Sequence, residues 1–190
     1  AAIVLGPWAS ILAISIALTI QAIFFGDGGI TAIGANCFNM AVVGSLVAYA
    51  TYGLLSGNAP IESPRRVWAA ALAGYLAINF SALAAAVELG MQPLFYRDAS
   101  GAPLYAPYPL RIAIPAMMAG HLTIAGLAEL VVSGGVVAYL QRAEPKLLRT
   151  MAPGAPATQK TVSRETASLI NGWATAKTLW IMLAVLAILT

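Results

Sequence analysis

The side chains able to hold or move charge inside apolar surroundings are Asp27, Asn36, Asn39, Glu88, His121 and Glu129, with Cys37 the one thiol. Asp27 follows Gly26 and precedes Gly28 and Gly29. Its carboxylate can either cap the next helix or build a binding site, because both need it at the same place. Asn36 and Asn39 are three residues apart, about 60° around a helix, so their amides share a face. They fit hydrogen bonding between membrane helices or the support of a site. His121 is the only histidine. One imidazole nitrogen cannot hold a transition metal, so His121 reads as a structural hydrogen-bonder or as support for a ligand rather than the ligand itself. Glu129 lies about 80° around and about 12 Å deeper on the same helix. A carboxylate there serves proton coupling or binds a neighbour such as Asn79. Glu88, close to a helix end, reads as structural, and Cys37 and Met40 read as packing residues.

The elements that must position these groups follow from composition. Of 190 residues, 60% are hydrophobic and 9% charged, which describes a membrane-embedded chain and not a soluble domain. A helix crossing about 30 Å of hydrocarbon needs about 20 apolar residues. Stretches of that kind run from Pro7 to Phe25, Thr31 to Leu55, Val67 to Met91 and Ala116 to Leu140, and a fifth starts at Ala176. The expected fold is therefore all-α, a polytopic transmembrane helical bundle of about five membrane segments. Residues 1–5 are expected to be the last turns of a preceding helix, ended by Gly6-Pro7. Tyr108 to Ile114 reads as interfacial, with the membrane helix starting near Pro115.

Eight of the ten Lys and Arg residues fall in the connections 56–66 and 141–177. The positive-inside rule makes those loops cytoplasmic and turns the 26–30 and 92–109 connections outward. The domain reading is a transmembrane component over 1–150, a flexible Pro/Ala/Gly-rich cytoplasmic linker over 151–175, and the start of an additional C-terminal transmembrane helix over 176–190. A chain that opens on Ala1 and stops inside an apolar run at Thr190 is expected to be a piece of a longer protein.

Several chemistries lack their residues. No GxxxxGK[ST] loop, HExxH motif or Gly-x-Ser-x-Gly elbow occurs, so the sequence reads as a non-enzyme with no permanently bound cofactor. Basic residues sorted to membrane loops point to the lipid bilayer, with no nucleic acid as a partner. Ala82, Ala86 and Gly90, and likewise Gly44 and Ala48, repeat every four residues. Such faces let helix backbones approach closely, within this chain or against another.

The stretches "LGPWASILAISIALTIQAIFFGDGGITAIGANCFNMAVVG" (Leu5 to Gly44) and "PAMMAGHLTIAGLAEL" make the resemblance specific. The sequence strongly resembles the CbiM/NikM family, the substrate-binding membrane components of energy-coupling-factor importers of cobalt or nickel, over nearly its whole length. The resemblance implies Co(II) or Ni(II) as the transported substrate and a bacterial inner-membrane location. It also implies partners: a CbiQ-like coupling protein, two CbiO-like ATPases and a small CbiN-like membrane protein. ATP hydrolysis would then belong to those partners, and the small-residue faces become candidates for contact with the coupling protein. Family members hold the metal in a planar nitrogen site made by an N-terminal Met-His segment and a histidine in an SGHL-type motif. Neither is in this sequence, so the direct ligands are expected upstream of Ala1, and His121, in a different motif, does not replace them. Asp27, Asn36 and Asn39 match family motif positions and are expected to support the metal-holding segment. A proton-coupled secondary transporter using Glu129 and His121, or a structural subunit of a membrane complex, remains open from the residues alone.

Overall fold

The computed structural model of the protein describes residues 1–151, with side chains to residue 148. The linker and final helix expected over 151–175 and 176–190 lie outside the described residues, Met151 excepted.

A short helix, α1 (Ala2–Leu5), ends at Gly6, whose φ of 78° is open to glycine but strained for other residues. Pro7 then occupies the first turn of α2, where its missing N–H leaves no helix bond unmade. Four helices long and apolar enough to span a membrane make up the rest: α2 (Pro7–Phe25), α3 (Ile30–Ser56), α4 (Pro64–Phe95) and α5 (Leu110–Ala143). α6 (Pro145–Met151) closes the described chain. Among the described residues the only β pairing is the isolated bridge between Arg97 and Pro103.

Four of the five expected spans are present and the fifth, from Ala176, lies outside the described residues; two of the four helices are longer than the hydropathy pattern suggests. α4 covers 32 residues, roughly 48 Å, so it outruns the hydrocarbon at its ends and carries Pro93 inside its last turn. α5 starts at Leu110, not near Pro115 as expected, because a proline near a helix start removes only one backbone bond.

The packing inverts that of a soluble protein. Buried apolar positions are mostly alanines, among them Ala41, Ala70, Ala73 and Ala86, while Trp8, Leu54 and Ile124 are 78%, 82% and 81% exposed. Lipid tails are as apolar as Leu, so large side chains gain little by facing inward, and small residues let backbones close up. The faces proposed for contact with another protein are used internally: a Cβ on Gly44 would lie 3.0 Å from Ser81 Oγ, and one on Gly90 would lie 2.8 Å from the Leu110 Cα. Ala82 and Ala86 are buried beside them.

α4 is the central element, packed against both α3 and α5. Its start is locked to the 57–63 connection. Buried Arg66 donates from Nε to the carbonyls of Ala59 (2.9 Å) and Pro60 (3.2 Å) and from a terminal nitrogen to Tyr52 Oη (3.2 Å). Gln141 of α5 donates to the carbonyls of Ile61 (2.6 Å) and Ser63 (3.0 Å). Tyr52, Ala69, Ala70, Ala73, Val137 and Leu148 form the apolar cluster at that end of the bundle, with Ile3 and Val4 of α1 against it.

Candidate functional site

The opposite end, where α2 turns into α3, carries most of the chemistry-bearing residues. Gly26, Gly28 and Gly29 have φ of 71°, 70° and 75°, a reversal three L-residues would strain to make. Asp27 closes the helix through its backbone, its N–H reaching the Gln21 carbonyl at 3.3 Å. Its carboxylate is exposed and has no hydrogen-bond partner among the described residues; Gly29, not Asp27, occupies the cap position of the following turn. The capping role is therefore not the one it plays here.

Asn36 donates from Nδ2 to the Gly28 carbonyl at 3.3 Å, tying α3 back to the turn. The contact exists because Gly28 has no side chain: a Cβ there would overlap the Asn36 amide. One turn deeper, Asn39 is 3% exposed and donates from Nδ2 to Glu88 Oε2 of α4 at 2.8 Å. Its Oδ1 is buried without a partner. Asp27, Asn36, Asn39 and Glu88 thus form a polar series running from the exposed turn into the bundle. The two asparagines do not share one partner: one braces the turn, the other bridges two helices.

Glu88 is the residue that sequence reasoning undervalued. Its partner is 49 positions away, and no local pattern reports such a pairing. The available signal was that Asn39 needs an acceptor at similar depth on a neighbouring helix.

Three segments have π-helical geometry: Gln21–Phe25, Cys37–Val43 and His121–Ala125. Such turns are rare, often occur at functional sites, and disturb the regular ladder of backbone bonds. Side chains reach backbone carbonyls around these turns. His121 Nδ1 lies 2.9 Å from the Met117 carbonyl, Thr123 Oγ1 donates to the Ala119 carbonyl at 2.6 Å, and Cys37 Sγ donates weakly to the Ser15 carbonyl at 3.9 Å. A carbonyl only accepts, so His121 carries its proton on Nδ1 and leaves Nε2 as the free nitrogen when neutral.

Glu129 sits apart. Its Oε1 accepts from Ser133 at 2.6 Å, and it lines an open pocket of about 250 Å³ shared with Ser10, Ser45 and Ser81. The expected partner Asn79 instead donates to the Tyr75 carbonyl at 2.7 Å. No hydrogen bond joins His121 to Glu129; each is satisfied on its own helix. Among the described residues no group of three or more His, Cys, Asp or Glu is placed to hold a metal ion.

A bundle of membrane-length helices with a small-residue interior, lipid-compatible outer faces and a polar series at one end defines a multi-pass helical membrane protein. Residues 1–147 match the family model described as "CbiM: Cobalt uptake substrate-specific transmembrane region", and the chain belongs to that family. It is 64% identical over 157 residues to the fused nickel transport protein NikMN of Rhodobacter capsulatus, covering 82% of this chain and 45% of that protein. It is 46% identical over 144 residues to the probable fused nickel transport protein LarMN of Lactiplantibacillus plantarum, covering 76% of this chain and 42% of that protein. Among solved structures, a crystal structure of a transition metal transporter superposes with a TM-score of 0.68 at 52% identity, covering 74% of this chain and 60% of the other. The chain spans about half the length of these relatives.

Proposed function

We propose that the chain is the substrate-recognising membrane part of an energy-coupling-factor importer for Co(II) or Ni(II), with ATP hydrolysed by separate CbiO-like subunits. The observation that carries this reading is the family match over residues 1–147, joined to relatives named as nickel transport proteins. The substrate is transported, not retained. Nitrogen ligands suit these two metals, and planar nitrogen sites favour nickel over magnesium or calcium. The direct ligands are assigned to parts of the longer relatives outside the matched region, with Asp27, Asn36, Asn39 and His121 as supporting residues.

A CbiQ-like coupling protein and a CbiN-like membrane protein complete the proposed assembly; the word "fused" in the names of two relatives supports the latter. By the positive-inside rule the 26–30 turn and 92–109 loop face outward, and the 56–66 and 141–177 connections face the cytoplasm of a bacterial inner membrane.

The test is uptake of radiolabelled nickel or cobalt by cells expressing the full-length protein with its partners. Uptake is expected to stop when the ATPases are inactivated. Uptake that persists without ATP and follows the pH gradient would sink the proposal in favour of proton coupling.

A further inference from the structure

The Asn39–Glu88 pair is short of hydrogen donors in a way that local structure does not explain. A carboxylate only accepts, so the Asn39 amide must present its NH₂ to Glu88 Oε2, 2.8 Å away. That choice fixes the direction of Oδ1, which is left buried without a donor on a side chain only 3% exposed. An amide used purely as glue between helices would spend both its ends. Here one end is used and the other waits, beside a half-buried carboxylate with no cationic partner among the described residues.

A metal-bound imidazole almost always donates its remaining N–H to a carboxylate or carbonyl oxygen, which fixes the ring and raises its basicity. We propose that Asn39 Oδ1 and Glu88 form an acceptor-only subsite for the N–H of a nitrogen ligand that holds Ni(II) or Co(II) at the Gly26 end of the bundle. Glu88 also sets negative charge beside a divalent cation, and the π-helical stretch Cys37–Val43 aims the Asn39 amide across to α4. Both residues act through the ligand, so both are positioning residues. The inference rests on the metal-import reading above.

The test is Ni(II) titration of the full-length protein in lipid nanodiscs, with the absorption spectrum of the bound metal recorded alongside thermal unfolding. Glu88→Gln keeps the shape and an acceptor for Asn39 but removes the charge. It is expected to bind Ni(II) on the order of 10-fold more weakly, with a shifted metal spectrum and an unchanged unfolding midpoint. The double variant Asn39→Leu/Glu88→Leu removes both partners together and so leaves no new orphan group. It is expected to stay folded and to lose affinity at least as much, which gives a second reading should Glu88→Gln fold poorly. Wild-type affinity and spectrum in both variants would overturn the subsite and leave the metal reading standing. A wild-type protein that binds neither Ni(II) nor Co(II) would overturn the metal reading, and the subsite with it.

Discussion

At the scale of single residues, the turn at 26–29 sets strict and unequal demands on its glycines. Gly26 and Gly28 have the same φ, near 70°, but a Cβ on Gly26 meets open space while one on Gly28 overlaps the Asn36 amide. Gly26→Ala is expected to cost about 1 kcal/mol of backbone strain, and Gly28→Ala clearly more, about 2–3 kcal/mol, because the Asn36 contact is lost as well. Thermal unfolding of the two variants side by side checks the order. Asp27 makes the opposite case. Its carboxylate has no hydrogen-bond partner among the described residues, so Asp27→Ala is expected to leave stability within about 0.5 kcal/mol while lowering metal affinity in the full-length protein. Unchanged affinity in that variant would remove Asp27 from the site. The polar residue types and their clustering could be read from the sequence, because charged and amide groups between apolar runs are conspicuous. Their partners could not: Asn39 and Glu88 are joined only by the packing of α3 on α4, and Glu129 chose Ser133 one turn away over the more distant Asn79.

At the scale of elements, loops are held by few but specific bonds. Arg66 is the clearest example, 2% exposed with its guanidinium spent on two carbonyls and a tyrosine hydroxyl and 5.9 Å from the Tyr52 ring centre. Arg66→Leu is expected to cost about 3 kcal/mol, since the carbonyls of Ala59 and Pro60 lose their donor. Arg66→Lys is not expected to rescue it, because an ammonium lacks the planar fork that reaches both sides. Protease cleavage in the 57–63 connection reports the release directly. The connection between α4 and α5 turns on Asp98, whose Oδ1 accepts from the Ser100 hydroxyl (2.7 Å) and from the backbone N–H groups of Ala102 and Ser100 (both 2.9 Å). The Ser100 hydroxyl first, then the Ala102 amide, hold its carboxyl below the ordinary range. A carboxyl depressed by folding stabilises the loop above its unfolded pKa of about 3.9, and that contribution fades as pH falls through the folded value. Hydrogen exchange at the Ser100 and Ala102 amides should therefore gain an acid-dependent opening that Asp98→Ala lacks, with its opening already present at neutral pH. The spans themselves were readable because about 20 apolar residues suffice to mark one. Their ends were not: α4 runs on through Pro93 to Phe95, and α5 starts at Leu110, ahead of the proline at 115 that marked its expected start.

At the scale of the whole molecule, the question is which surfaces hold the bundle together and which are left for lipid or partners. The small-residue repeats invited the idea of docking to a coupling protein, since sequence shows that a face is smooth but not what lies on it. They prove to be internal, with Gly90 against the backbone of Leu110 and Gly44 against Ser81; outside the repeats, Gly134 is equally close to Ala71, whose Cβ would lie 3.1 Å from a Cβ placed there. Gly135, its immediate neighbour, faces open space. In a membrane the large apolar side chains on the outside contribute little to folding, because lipid replaces the protein contacts they would lose. Stability should thus follow the glycines and not the tryptophans. Gly90→Ala is expected to force α4 and α5 apart at a cost of about 2 kcal/mol, as overpacking does in a close-packed interior. Gly135→Ala should be neutral or slightly stabilising, by up to about 1 kcal/mol, through helix propensity alone. Trp8→Ala, at a side chain 78% exposed, should leave unfolding of the isolated chain within about 0.5 kcal/mol of the wild type. Reversible unfolding in mixed micelles measures all three. A Trp8 variant more damaging than Gly90→Ala would mean that the outer face, not the small-residue interior, carries the stability of the bundle.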